Sequence, residues 1–305
     1  MDPDPQRYLD PQTLAKMRGL ELQARLVVEG FLSGMHKSPY HGFSVEFSQH
    51  REYVPGDDIK HVDWKVYGRT ERYFLKQYEE ETNLVCWLLL DVSESMRYAS
   101  TKVTKYDYAC LTAAALTYLI LHQQDSVGLV TFDDQVRRFL RASGQPSHFK
   151  EAIRIMNDGA AHEKTRLAPI FHDLAERISR KSLIIVLSDL FDEVNDLLAG
   201  LKHLRHKQHE VVILHVLDAA ELEFPFEETT LFRGLEQYPE LLTDPRSLRR
   251  AYLSEVERFI SELKRGCREQ NIDYVPMRTD RDAGAALASY LARRSRRKGS
   301  SIGRR

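Results

Sequence analysis

From residue 83 onward the sequence predicts an α/β fold, a doubly wound and mostly parallel sheet with one antiparallel edge strand. Three observations predict it. Short β-branched or leucine-rich runs alternate with helical stretches, the signature of parallel strands joined by crossover helices. All but one of the connections are long enough for a crossover. The exception is VGLVTFDDQVRRFL, whose two runs are joined only by Asp133-Asp134-Gln135, a turn that fits an antiparallel hairpin.

Element by element, the runs place strands at 84–91, 126–132, 136–140, 182–188, 210–216 and 272–277, with helices at 106–122, 147–156, 167–179, 193–206, 247–270 and 283–294. Residues 219–240 are poorly periodic. Ahead of this domain, Met17, Leu20, Ala24, Val27 and Phe31 recur at steps of three and four, so 11–33 reads as an amphipathic helix, started by Asp10-Pro11 and stopped by Gly34. Residues 35–82 mix short alternating segments with turn signals such as Pro55-Gly56 and read as an irregular, partly β appendage. Three parts follow: an N-terminal helix with a charged β-rich appendage over 1–82, an α/β domain over 83–295, and a basic disordered tail over 296–305.

Composition narrows the function classes. With 305 residues and 42% apolar content the chain builds a sizeable core. Its 44 basic and 45 acidic residues leave no global charge to draw nucleic acid or a membrane surface. Cys86, Cys110 and Cys267 are far apart and in no CxxC spacing, which argues against a disulfide framework or a zinc site and suits a reducing compartment. No run approaches the roughly 18 apolar residues of a membrane helix. A cytoplasmic protein without a membrane span and without nucleic acid is expected.

The chemistry gathers where NLVCWLLLDVSESM leaves the first core strand, because doubly wound sheets bind ligands beyond the carboxyl ends of their strands. Asp91 there could be a nucleophile, a metal ligand or a polar cap. A phosphoryl-accepting aspartate wants a second acid two residues on to protonate the leaving group, and Ser93 stands in that place. Asp91, Ser93 and Ser95 instead alternate so that their oxygens can converge on one hard cation such as Mg2+. Asp189, ending the apolar run SLIIVLSDL, and Thr165, before the next helix in HEKTRLAPIF, supply two further donors. The plainer alternative is a capped strand end with a threonine N-cap. Two other polar groups read more simply. The cluster from Arg51 to Arg69 is a solvated, ion-paired surface or a partner surface, and His203, His206 and His209 form a solvated helix face rather than a metal tract.

Residues 83–191, with DxSxS, a separate Thr and a separate Asp, resemble a von Willebrand factor A-like (Rossmann-like) domain. That resemblance implies a metal-ion-dependent adhesion site at Asp91, Ser93, Ser95, Thr165 and Asp189. Family members commonly carry glycine just before the threonine, whereas Lys164 stands here, a residue that would tune or replace the cation. The segment SGMHKSPYHGFSVEFSQHREYVPGDDIKHVDWKVYGRTERYFLKQYEEE, with LHVLDAAELEFPF and NIDYVPMRTDRDAGAALASYLARR, is similar to the domain-of-unknown-function family fifty-eight (DUF58) over about residues 10–295. This implies a non-enzymatic, metal-dependent protein-interaction domain that works with a MoxR-type AAA+ ATPase in a chaperone-like or cofactor-insertion role. The alternative is a metal-dependent hydrolase using the same site.

Overall fold

The computed structural model describes residues 20–22, 24–25, 28, 47–53, 63–78, 84–159, 166–232, 240–287 and 289–290. The contacts divide the chain into Lys37–Asn83 and a larger unit made of Met1–His36 with Leu84–Arg305.

In the smaller unit, β1 (Phe47–Glu52) pairs antiparallel with β2 (Phe74–Tyr78), and α1 (Trp64–Thr70) lies between them in sequence. Asp63 starts α1, its side chain accepting from the Val66 amide at 3.3 Å while its own amide donates to the Phe74 carbonyl. Tyr67 stacks on Tyr73 at 4.5 Å and Trp64 meets Tyr73 edge-on. The partly β character expected for this segment is present. The helix carrying Trp64 was not anticipated, and the Pro55-Gly56 turn lies outside the described residues.

The larger unit is built on six strands: β3 (Val85–Asp91), β4 (Ser126–Phe132), β5 (Val136–Ser143), β6 (Leu183–Ser188), β7 (Glu210–Leu217) and β10 (Asp273–Arg278). Their order across the sheet is β10-β7-β6-β3-β4-β5, all parallel except β5, which pairs antiparallel with β4 at one edge. The helices are α2 (Lys105–His122), α3 (His148–Asn157), α4 (Leu167–Arg177), α5 (Val194–His206), the short α6 (Ala219–Glu223) and α7 (Pro245–Glu269), and helical residues resume at Ala283. Between α6 and α7 a small antiparallel pair, β8 (Thr230–Phe232) and β9 (Leu241–Thr243), fills the stretch that lacks periodicity. This is the α/β, mostly parallel sheet with one antiparallel edge expected from the sequence.

Alternation along β3 sends its side chains to two faces. Cys86, Leu88 and Leu90 join a core with α2, α3, the C-terminal helical residues and the helical Ala24 and Val28. Trp87 and Leu89 join a second core with α4, α5 and the Leu263 and Cys267 positions of α7. Burial on both faces is why the central strands read as nearly continuous apolar runs. All three cysteines are buried and free, and pack as small hydrophobes.

One register contact is unusually close. Trp87 pairs with Gly128 on β4, and a Cβ at residue 128 would stand 2.5 Å from the indole Cε3. The indole also packs on Phe139, at 4.9 Å between centroids. Gly128→Ala is therefore expected to lower stability by about 1–3 kcal/mol through overpacking, read as a reduced urea midpoint at unchanged slope.

The order of the strands fixes where a site can form. After β3 the chain crosses to β4 on one side, whereas β6 lies on the other side of β3. Helix α2, following β3, belongs to one face, and α5, following β6, belongs to the other. The carboxyl ends of β3 and β6 thus flank the crevice where strand order reverses.

Candidate functional site

Asp91 ends β3 inside that crevice with no exposed surface. One carboxylate oxygen accepts the Ser93 amide at 2.9 Å, and the other accepts the Ser188 hydroxyl at 2.5 Å. The Ser93 and Ser95 hydroxyl oxygens lie 3.1 Å apart, and the short 3-10 turn Ser95–Arg97 holds the second. The Ser95 hydroxyl also lies near enough to the Asp189 carboxylate to favour its charged form. Asp91, Ser93, Ser95 and Asp189 therefore gather at one polar corner. Four of the five residues singled out in the sequence are brought together; Thr165 lies outside the described residues, as does Lys164. Close by, Asp192 accepts the Leu167 amide at 2.7 Å and so caps α4.

The lysine that enters the site is Lys105. It is the first residue of α2, a helix started by the Thr104–Asp107 capping box. Its side chain, 2% exposed, puts Nζ 2.7 Å from Asp189 and 2.5 Å from Glu221 on α6. Glu221 is held in place by accepting the Asp218 amide at 2.8 Å. Asp218, also buried, accepts the Ser100 and Ala220 amides and the Thr279 hydroxyl, which ties the loops beyond β3, β7 and β10 together. Under Asp189, His215 donates Nε2–H to the Asp189 carbonyl at 2.8 Å; its Nδ1 then accepts the Tyr274 hydroxyl at 2.5 Å. A carbonyl can only accept, so this fixes the neutral tautomer. Burial first of all pushes His215 down to about 4.

The charges in the cluster are unequally compensated. Burial, then the Asp189 charge, raises Asp91 to about 7 despite its hydrogen bonds. Burial acts the same way on Asp189, but the Lys105 ammonium and the Ser95 hydroxyl more than offset it, so that carboxyl is held below its ordinary value. Glu221 shares the same ammonium yet stays raised, because burial and the Asp189 charge outweigh it. One ammonium is shared by two carboxylates, and a third, Asp91, has no cation of its own among the described residues. Such a cluster retains a demand for positive charge.

The oxygens fit a hard divalent cation: two carboxylates and two hydroxyls, of the kind Mg2+ takes together with water. Among the described residues no three His, Cys, Asp or Glu side chains are grouped for a metal, so the hydroxyls of Ser93 and Ser95 are essential to the fit. The histidines His203 and His209 do not converge on one another, and residues 54–62 of the Arg51–Arg69 cluster lie outside the described residues. His209 is buried beyond the end of α5, not on its solvated face, and takes the Ser182 amide on Nδ1. His203 faces His172 on α4, with Nδ1 atoms 2.7 Å apart, and binds Glu176 through Nε2. The basic tail lies outside the described residues.

With this geometry in place, the sequence model of the family described as "Protein of unknown function DUF58" matches residues 49–259. The chain belongs to the DUF58 family. Relatives of this DUF58 protein include the uncharacterized protein Rv1480 of Mycobacterium tuberculosis (strain H37Rv) and the uncharacterized protein Mb1516 of Mycobacterium bovis. Each is 29% identical over 307 residues, which span 96% of this chain and 93% of the relative. Similar solved structures include BatB from Bacteroides thetaiotaomicron, with TM-score 0.47 and 16% identity over 70% of this chain and 99% of that one. The SpRpn10 VWA domain aligns with TM-score 0.40 and 15% identity over 68% of this chain and 94% of that one. An aerotolerance-related membrane protein from Bacteroides fragilis aligns with TM-score 0.42 and 16% identity over 67% of this chain and 96% of that one. The DUF58 domain itself has the von Willebrand factor A-like organisation, with DxSxS at the end of its first core strand and one antiparallel edge. The cytoplasmic location expected from the sequence is corrected by these neighbours, among which are that membrane protein and an uncharacterized membrane spanning protein from Vibrio fischeri. Among the described residues no helix is long and apolar enough to cross a membrane.

Proposed function

We propose that this DUF58 chain is a cation-dependent protein-interaction domain whose partner presents an acidic side chain to the corner formed by Asp91, Ser93 and Ser95. The observation that carries the reading is the gathering of the Asp91 carboxylate and the paired Ser93 and Ser95 hydroxyls, with Asp189 beside them, at the strand-order reversal. A bound Mg2+ would leave a coordination position for a carboxylate from outside. Asp91 and Asp189 supply negative charge, and the two serine hydroxyls add oxygens without further neutralising a cation. Phe191, two residues past Asp189 and 59% exposed, offers an apolar contact beside the charged one, a combination suited to a partner surface.

The partner proposed is a MoxR-type AAA+ ATPase, as the family resemblance implies, and the joint role is chaperone-like or cofactor insertion. In a capture assay with such an ATPase, binding is expected in Mg2+ and to weaken at least about tenfold in chelator and in Asp91→Ala or Ser93→Ala. Unchanged affinity of both variants in both conditions would remove the site from the interaction. The hydrolase alternative needs a general base beside the same cation, and two carboxylates of the cluster, Asp189 and Glu221, are already tied to Lys105.

A further inference from the structure

We infer that Lys105 is a resident cation of this site, which withholds Asp189 from a divalent ion at Asp91, Ser93 and Ser95 and must hand it over before that ion is held by the full oxygen set. This rests on the cation-site reading above. The geometry has three parts. The ammonium lies 2.7 Å from Asp189 and is 2% exposed, so it is a built-in neighbour of the site and not a surface charge that happens to reach it. The Ser95 hydroxyl also acts on the Asp189 charge, so one carboxylate stands beside both the hydroxyl pair and the ammonium. Finally, Lys105 has a second partner in Glu221, fixed by the Asp218 amide, on which it can rest when it leaves Asp189.

The arrangement has a chemical consequence. With Asp189 engaged, the hydroxyl corner is left with one carboxylate, and a doubly charged ion gains less there than from two. Uptake of the ion then requires Lys105 to turn toward α6, which couples occupancy of the site to the loop beyond β7. Lys105 acts here through Asp189 and is a positioning residue; it is not itself a ligand.

The test is a double-mutant cycle on the full chain with Mn2+ alone as probe, read by calorimetry and by the electron paramagnetic resonance of the bound ion. Lys105→Met is expected to tighten Mn2+ binding about tenfold, and the same substitution in an Asp189→Asn background to give no gain, a coupling of ordinary size. A loss of remote positive charge alone would give equal gains in both backgrounds, and that result, or no gain in either, overturns the inference. If Lys105→Met folds only when Mn2+ is added, the divalent ion has taken over the ammonium's place, as expected. If it is unfolded with and without Mn2+, the ion cannot replace the ammonium and the inference fails. Failure of the cation-site reading looks different: neither the wild-type chain nor any variant takes up Mn2+.

Discussion

Replacing Lys105 by methionine is expected to cost the fold about 3–5 kcal/mol in chelator, the usual penalty for removing one partner of a buried ion pair. Methionine keeps most of the side-chain length, so the loss reports charge more than packing. Asp189 is 4% exposed and Glu221 27%; both lose the ammonium that compensates their burial. Each can respond by taking up a proton, so the penalty should be larger at pH 8 than at pH 5. Urea titration at the two pH values measures it. A loss below about 1 kcal/mol at both would place Lys105 among ordinary surface pairs.

The second large effect concerns Asp91. Burial raises its carboxyl from 3.8 to about 7 in the fold, so the folded chain binds this proton more tightly than the unfolded chain does. The corresponding stability is fully present below the ordinary value and is lost as pH rises through about 7. Asp91→Asn carries no such charge. In chelator, its stability relative to the wild type is therefore expected to grow between pH 4 and pH 8 by up to about 4 kcal/mol, the equivalent of that displacement. His215, lowered to about 4, weakens the fold in the opposite sense as pH falls below its ordinary range, but it is common to both proteins and cancels in the difference. A flat difference across that range would show that Asp91 is already charged at pH 5.

Much of this fold was legible in the sequence because its central strands are buried on both faces. β4 appears at 126–132 in both readings, and β6, β7 and α5 agree to within one residue. The hairpin could be read from its loop alone, since Asp133 to Gln135 leaves no room for a crossover. What escaped is short or lies between elements. Strands β8 and β9 have three residues each, too few to show a period of two. Helix α1 has seven residues and leaves Trp64 58% exposed, so it lacks a clear apolar stripe.

The site divided along the same line. Asp91, Ser93, Ser95 and Asp189 were visible because each sits at the end of a strongly apolar run. Lys105 and Glu221 were not, because their meeting depends on the crossover angle of α2 and on α6, inside the aperiodic stretch. The signal that could have found Lys105 is the capping box at Thr104–Asp107, which places it in the first turn of the helix following β3. Lys164 neighbours Thr165 in sequence and so stands out there; Lys105 reaches the site through the fold instead.

The N-terminal helix sets the order in which the larger unit can be completed. Ala24 and Val28 lie in the same core as α2, and the Arg25 guanidinium sits 5.6 Å from the centroid of the Tyr118 ring. On a ribosome this helix emerges before α2, and its seat on the sheet is not made until the chain has run through the whole of Lys37–Asn83 and on into α2. Such a long closure is slow. A nascent chain halted before α2 would carry an amphipathic helix with its apolar stripe uncovered, and this is the stage of synthesis at which a holding chaperone has most to do.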